Sequence, residues 1–337
     1  MKKFVFFLLL LSCNAPPESV SPAFFHWKNS LALTQIETDL LDELGCQTLY
    51  VKFLDIAKDP QTGNIRPYSL LEVRDTAGLT NRAIVPCIFI TNSVFQGISE
   101  DKMNWLAGKT AEAIANTSNQ FAAPASGKIR QLSEIQFDCD WTETTRVAFF
   151  SFIKKMRDRL PPKTRLSATI RLHQYKFPDR TGVPPADRGM LMLYNTGDID
   201  DPDEPNSIFQ RSTAEIYLHG APPKYPLPLD VALPVFAWAL VYRDGELWKI
   251  VPESGPPGIQ NPEGTTSNIN LPYMRPDDLV RYESVDTGLL REAATLAAGI
   301  RLAPDARVAF FHLAPSVVQR YPADFLKSIF TLGWPPK

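Results

Sequence analysis

Eight short apolar runs recur along this chain, and most are separated by segments with helical periodicity. The runs cover residues 23–27, 48–55, 83–90, 134–138, 165–170, 189–194, 231–238 and 308–312. Helix-like segments cover 34–44, 100–117, 142–160, 212–218 and 316–332. Gly45 caps the first of these, and Pro161-Pro162 stops the third. The runs are nearly continuous in apolar character rather than alternating. Strands buried on both faces read this way, and a parallel sheet covered by helices buries both faces. Eight of them in such an order predict an α/β fold, a (β/α)8 barrel of TIM type. An open doubly wound sheet is the alternative, but no Gly-rich phosphate turn follows the first run.

Two insertions follow the seventh run. Residues 239–251 hold Asp244-Gly245 between aromatic, apolar stretches, a hairpin signal. Residues 252–276 are rich in Pro, Gly and Asn and are expected to form an ordered meander. Both lie at the carboxyl ends of the strands if the barrel is right.

The amino terminus reads as a targeting signal. Lys2 and Lys3 precede an apolar run too short to span a bilayer, then Ser12 and Cys13. Leu10-Leu11-Ser12-Cys13 is similar to the bacterial lipobox, which implies that Cys13 becomes the lipidated first residue. A plain signal peptide with an incidental cysteine is the alternative. The expected layout is a signal at 1–12, a lipidated Cys and tether at 13–22, and a single barrel domain at 23–337. The implied location is the cell envelope, lipid-anchored at the outer membrane, since Asn14 is not the retaining Asp of inner-membrane lipoproteins.

Of 337 residues, 44% are hydrophobic and 21% charged, and the formal net charge is −2. That balance argues against nucleic acid as a partner. Cys46, Cys87 and Cys139 match no zinc spacing and read as buried free thiols, with a Cys87–Cys139 disulfide as the alternative. The acidic stretch from Asp198 to Glu204 is interrupted by Pro202 and reads as a solvated loop. No metal or cofactor is expected, and a monomer is.

Function should sit at the carboxyl ends of the strands. The fourth run ends Phe137-Asp138-Cys139-Asp140-Trp141. Asp138 and Asp140, two apart on a strand, share a face. Around them the strand ends supply His26, Trp27, Lys52, Asp55, Thr169, Arg171, Tyr194, Asn195, Trp238 and His312. Aromatic faces beside carboxylates and amides suit a carbohydrate ligand, because sugars stack their C–H faces and hydrogen-bond their rims.

The segment 137–141 resembles the Asp-x-Asp-x-Glu signature of glycoside hydrolase family 18, the chitinase type. Met192-Leu193-Tyr194-Asn195 is similar to that clan's Met-x-Tyr-Asp/Asn segment, and Ser167-Ala168-Thr169 to its fifth strand end. The overall order also resembles a group of bacterial lipoproteins with a glycosidase-like barrel, which brings a fold and no activity. The family implies an Asp that steadies the substrate's acetamido group and a Glu two residues later as general acid. Here Thr142 holds the acid's position, and Ile135 stands where another Asp is usual. Glu143 is one residue off, and a local turn is needed to bring it into the site.

Three readings follow. Asp138 and Asp140, with Glu143 or another carboxylate, carry out glycoside hydrolysis on a polysaccharide or amino-sugar glycan. Alternatively the pocket, with Trp141 among its aromatics, binds a glycan without cleaving it. In the third, the carboxylates are structural and pair with Lys52 or Arg171 inside the barrel mouth.

Overall fold

The computed structural model of the chain describes residues 20–121, 132–221, 224–252 and 271–334. The expected signal and Cys13 lie outside the described residues, as does most of the expected meander. Eight parallel strands close into a barrel: β1 (Ser21–His26), β2 (Thr48–Lys58), β3 (Ala83–Ile90), β4 (Glu134–Asp138), β5 (Arg165–Arg171), β6 (Arg188–Met192), β7 (Leu229–Pro234) and β8 (Arg307–Phe311). Each pairs with its sequence neighbour, and β8 pairs with β1 to complete the ring. The (β/α)8 expectation therefore holds, and the open sheet does not.

Helices cover the outside. In chain order they are α1 (Gln35–Glu43), α2 (Glu100–Asn119), α3 (Arg146–Arg157), α4 (Leu172–Lys176), α5 (Pro178–Thr181), α6 (Arg211–Leu218), α7 (Thr287–Ala298), α8 (Pro315–Arg320) and α9 (Ala323–Phe330). Helix α1 starts at a reciprocal cap: the Thr34 N–H donates to Glu37 Oε2 at 2.8 Å, and the Glu37 N–H donates to Thr34 Oγ1. Helix α3 starts at Arg146, four residues after the expected 142. Its approach is a threonine turn in which the Thr142 N–H donates to Thr145 Oγ1 at 2.9 Å and Thr145 Oγ1 donates to Asn92 Oδ1 at 2.5 Å. The expected closing helix splits at Tyr321-Pro322, where proline cannot continue the hydrogen-bond ladder.

Strand β7 ends at Pro234, short of the expected 238. Val235 and Phe236 turn the chain, and Ala237–Arg243 begins a separate sheet. That strand pairs antiparallel with Glu246–Pro252, which is the expected hairpin around Asp244-Gly245, both at positive φ. A third strand, Leu279–Ser284, pairs along its other side. Strand Ile65–Leu70 extends the barrel sheet by pairing antiparallel with β2.

Inside the barrel, Phe25 stacks on Tyr50, 4.8 Å between ring centroids, and touches Phe311 at 5.5 Å. Below this layer, at the amino-terminal end, lies a buried charge network. Arg307 donates to Tyr50 Oη at 2.6 Å and to Glu134 Oε2 at 2.9 Å. Arg188 donates to Asp230 Oδ1 at 2.7 Å and also pairs with Asp305. The backbone N–H of Arg307 donates to Asp230 at 2.8 Å. Cys46, Cys87 and Cys139 are all buried free thiols, so the alternative disulfide is not formed. No helix among the described residues is long and apolar enough to cross a membrane.

Candidate active site

A cleft of about 410 Å³ opens at the carboxyl ends of the strands. Trp27, Phe89, Asp138, Arg171 and Met192 come from the ends of β1, β3, β4, β5 and β6 or the residues just after them. Asp140, Tyr194, Asn195, Phe236, Trp238, Phe311 and His312 complete most of the wall, and Ile250 and Pro252 of the hairpin overhang it. Its size falls within the range of small-molecule and cofactor sites, roughly 300–1,000 Å³.

Asp138 is the last residue of β4. Glu134 and Gln136 precede it at spacing two, and both are buried. Its Oδ1 accepts a 2.7 Å hydrogen bond from Thr169 Oγ1 on β5. Among the described residues no cation forms an ion pair with it. Burial therefore pushes its pKa up to about 7, and the negative charge of Asp140 adds to the rise; the Thr169 hydrogen bond and Arg171 oppose it. Asp140 is different. Its side chain is 59% exposed, and Oδ1 lies 3.6 Å from Arg171 Nε. One carboxyl group is thus desolvated and proton-retaining, and its neighbour is open to solvent.

The aromatic wall is continuous. Tyr194 stacks on Phe311 at 5.1 Å, Phe311 meets Trp27 at 5.4 Å, and Phe236 stands edge-on to both Phe311 and Trp238. Burial pushes the Tyr194 hydroxyl well above its ordinary pKa, and Asp138 adds to this. That hydroxyl lies 3.3 Å from Met192 Sδ. Asn195 takes a left-handed backbone (φ 54°), which Asn tolerates better than most residues, and so turns the chain sharply after β6. Its N–H donates to Ile208 O at 2.6 Å.

The structure draws together many of the sequence-selected residues and leaves others out. Asp138, Asp140, Trp27, Arg171, Tyr194, Asn195, Trp238 and His312 share the cleft. Thr169 lies beneath Asp138 as its hydrogen-bond donor. Lys52 and Asp55 are not in the cleft lining: Lys52 Nζ donates to Asp55 Oδ2 at 2.8 Å and lies 5.8 Å from the Trp27 ring centre. An irregularity in β2 between Lys52 and Leu54 lets two residues three apart meet in this way.

His26 is a correction. Strand alternation turns Phe25 and Trp27 inward, so His26 faces the helix layer, fully buried; burial lowers its pKa to about 4, and Lys28 adds to the drop. Trp141 is a second correction. It is completely buried, its Nε1 donates to Thr181 O at 2.9 Å, and it stacks on Phe149, so it packs the helix layer rather than lining a sugar site. Glu143 is a third. It sits in the turn before α3, half exposed, paired with Arg180 at 2.7 Å and outside the cleft lining.

Sequence reasoning missed Phe89, Phe236 and Phe311, which read as ordinary core, and Glu283, which supports Trp238 from behind. Trp238 Nε1 donates to Glu283 Oε2 at 2.6 Å. Only the alternation in residues 279–284 hints at the strand that carries Glu283. Among the described residues, no group of three or more His, Cys, Asp or Glu side chains is placed to hold a metal ion.

No protein-family model matches this sequence, and no curated protein sequence does. Solved structures do match. The spore cortex-lytic enzyme SleL of Bacillus cereus has 13% identity and a TM-score of 0.54, over 95% of this chain and 76% of that one. SleL of Bacillus megaterium QM B1551 gives the same values. The glycoside hydrolase family 18 chitinase ChiB, from the chitin utilization locus of Flavobacterium johnsoniae, has 11% identity and a TM-score of 0.48, over 93% and 95%. At such identities the likeness to SleL concerns the fold: this chain adopts the TIM-type barrel of those cortex-lytic enzymes.

Proposed function

We propose that this protein is a glycoside hydrolase acting on a polysaccharide or amino-sugar glycan, with Asp138 as the proton donor. The observation that carries the reading is the carboxyl group of Asp138. It lies in an aromatic cleft, burial and Asp140 push its pKa up to about 7 against the opposing pull of Arg171, and among the described residues no cation forms an ion pair with it. Glycoside cleavage needs a carboxylic acid that keeps its proton near neutral pH to protonate the leaving oxygen. It also needs negative charge near the anomeric carbon, and this reading assigns that part to the solvent-facing carboxyl of Asp140. Trp27 and Trp238, both half-buried at the cleft, are the platforms this reading assigns to the sugar, with the buried Tyr194 packed beside them. The barrel shared with SleL, a spore cortex-lytic enzyme, is consistent with this reading.

A second reading is favoured by one observation: Glu143 is tied to Arg180 outside the cleft, and the position before it is Thr142. In that case the cleft binds the glycan without cleaving it. A purified soluble form, with its Asp138→Asn and Asp140→Asn variants, separates the two on a glycan panel. Hydrolysis by the wild type, reduced by a factor of about 10²–10⁴ in Asp138→Asn, is expected for a lost general acid. Binding without turnover, unchanged in both variants, supports the non-catalytic reading. Neither binding nor turnover by the wild type removes both and leaves the carboxylates a structural role.

A further inference from the structure

Three elements that are far apart in sequence meet at Glu283. The residue lies on the Leu279–Ser284 strand and is 2% exposed. Its Oε2 accepts from Trp238 Nε1 at 2.6 Å and from Ser207 Oγ at 2.7 Å. Its Oε1 accepts from the Ser207 N–H at 3.0 Å and is ion-paired with Arg281 Nε at 2.8 Å. Trp238 belongs to the sheet that overhangs the cleft. Ser207 belongs to the loop after β6, the loop that starts with Asn195 at the cleft wall and returns to it through the Asn195 N–H to Ile208 O bond. Asn206 reinforces the junction: its Nδ2 donates to Ser284 O at 2.9 Å, and its Oδ1 accepts from Ile208 N at 2.9 Å.

We infer that Glu283 is a positioning residue for the glycan site: its buried carboxylate clasps the indole edge of Trp238 to the 195–210 loop, and so sets the width of the cleft between Trp238 and the Asp138–Asp140 pair. This rests on the proposed function and deepens it by naming what holds the sugar platform in place. A free Trp side chain can swing about two side-chain torsions. Here the N–H end is held by a charged acceptor, and the ring packs T-shaped against Phe236, 5.1 Å between centroids, while Trp238 lines the cleft. The donor count makes the clasp specific to a carboxylate. Three hydrogen-bond donors and the Arg281 guanidinium converge on two oxygens, and an amide in that place would set its own N–H groups against some of them.

Glu283→Gln tests the assignment because it keeps the shape and removes half of the acceptors. The protein is grown with 5-fluorotryptophan, and the resonance of Trp238 is assigned by its loss in Trp238→Phe. In the wild type that resonance is expected to be single and narrow; in Glu283→Gln it shifts and broadens. Glycan titration with N-acetylglucosamine oligomers is then expected to show about a tenfold loss of affinity, the equivalent of one aromatic contact, while any kcat stays within about threefold. An unshifted Trp238 resonance overturns the clasp, and a shifted resonance with unchanged affinity overturns the role of Glu283 in positioning the glycan site. If the wild type binds no oligomer, the proposed function fails separately, and the resonance alone decides whether Glu283 fixes Trp238.

Discussion

At the amino-terminal end of the barrel, Asp230 lies between two guanidinium groups, Arg188 at 2.7 Å and Arg307 at 3.9 Å, and also accepts from the Arg307 N–H at 2.8 Å. At the carboxyl end, Asp138 has one hydroxyl donor, Thr169, and a like charge beside it. Asp230 is the more completely buried of the two, yet burial lifts its pKa only to about 6, because both arginines oppose the rise. Asp138 reaches about 7 with less burial and less help. In an α/β barrel the first end serves stability and the second chemistry. The difference shows how: one end matches its charges and becomes a plug, and the other keeps a proton-retaining carboxyl at the cleft.

Breaking the match at the closed end should have the largest effect. Arg307→Met leaves Glu134 and Asp230 without a shared guanidinium, a loss of about 3–5 kcal/mol for a buried pair stripped of one partner. Urea unfolding measures it, and a loss below about 1 kcal/mol would show that the network is not matched in the way described.

The open end should respond in the opposite direction. Asp138 titrates near 3.8 when unfolded and near 7 when folded. The folded state therefore holds the extra proton between those values, and this group's contribution to stability falls as pH rises from about 4 to about 7. Asp230 has the same sign over a narrower window, ending near 6. Asp138→Asn removes the first contribution alone. At pH 8 the variant should be more stable than the wild type by up to about 4 kcal/mol, with no gain at pH 4. Equal stability of the two across that range would mean that Asp138 is not desolvated.

Asp140→Asn is the smallest of these changes. It removes a like charge from the neighbourhood of Asp138, so the Asp138 titration should move to lower pH. Carboxyl chemical shifts followed by NMR read this directly, and an upward move would overturn the assigned coupling.

Much of this contrast was hidden in the sequence. The eight strands were legible because each runs apolar on both faces, and the Asp138–Asp140 spacing was legible because a strand repeats every two residues. Tyr50, Glu134, Arg188, Asp230 and Arg307, by contrast, come from five different strands. Each appears as one polar residue in or beside an apolar run, and only the register of the closed ring brings them together. Phe311 and Phe236 line the cleft with the same side chains that elsewhere fill the core, so composition could not separate them. The apolar run through 238 hid the end of β7, since Pro234 sits at the last strand position and apolar residues continue past it. His26 was assigned to the mouth by position along the strand, when alternation turns it outward. Trp141 and Glu143 were carried past the strand end, where the period of two no longer applies.

The pairing of β1 with β8 has a consequence for how this protein is made. Arg307 and Tyr50, which meet inside the barrel, are separated by 257 residues. Synthesis must have passed residue 307 before the last strand can dock against the first. Until then β1 carries an unpaired edge, and Glu134 and Asp230 wait without Arg307. Long-range parallel pairing of this kind is slow and leaves sticky intermediates. Truncations that end before residue 307 should therefore be cleared by proteases or captured by chaperones rather than accumulate as shorter, working barrels.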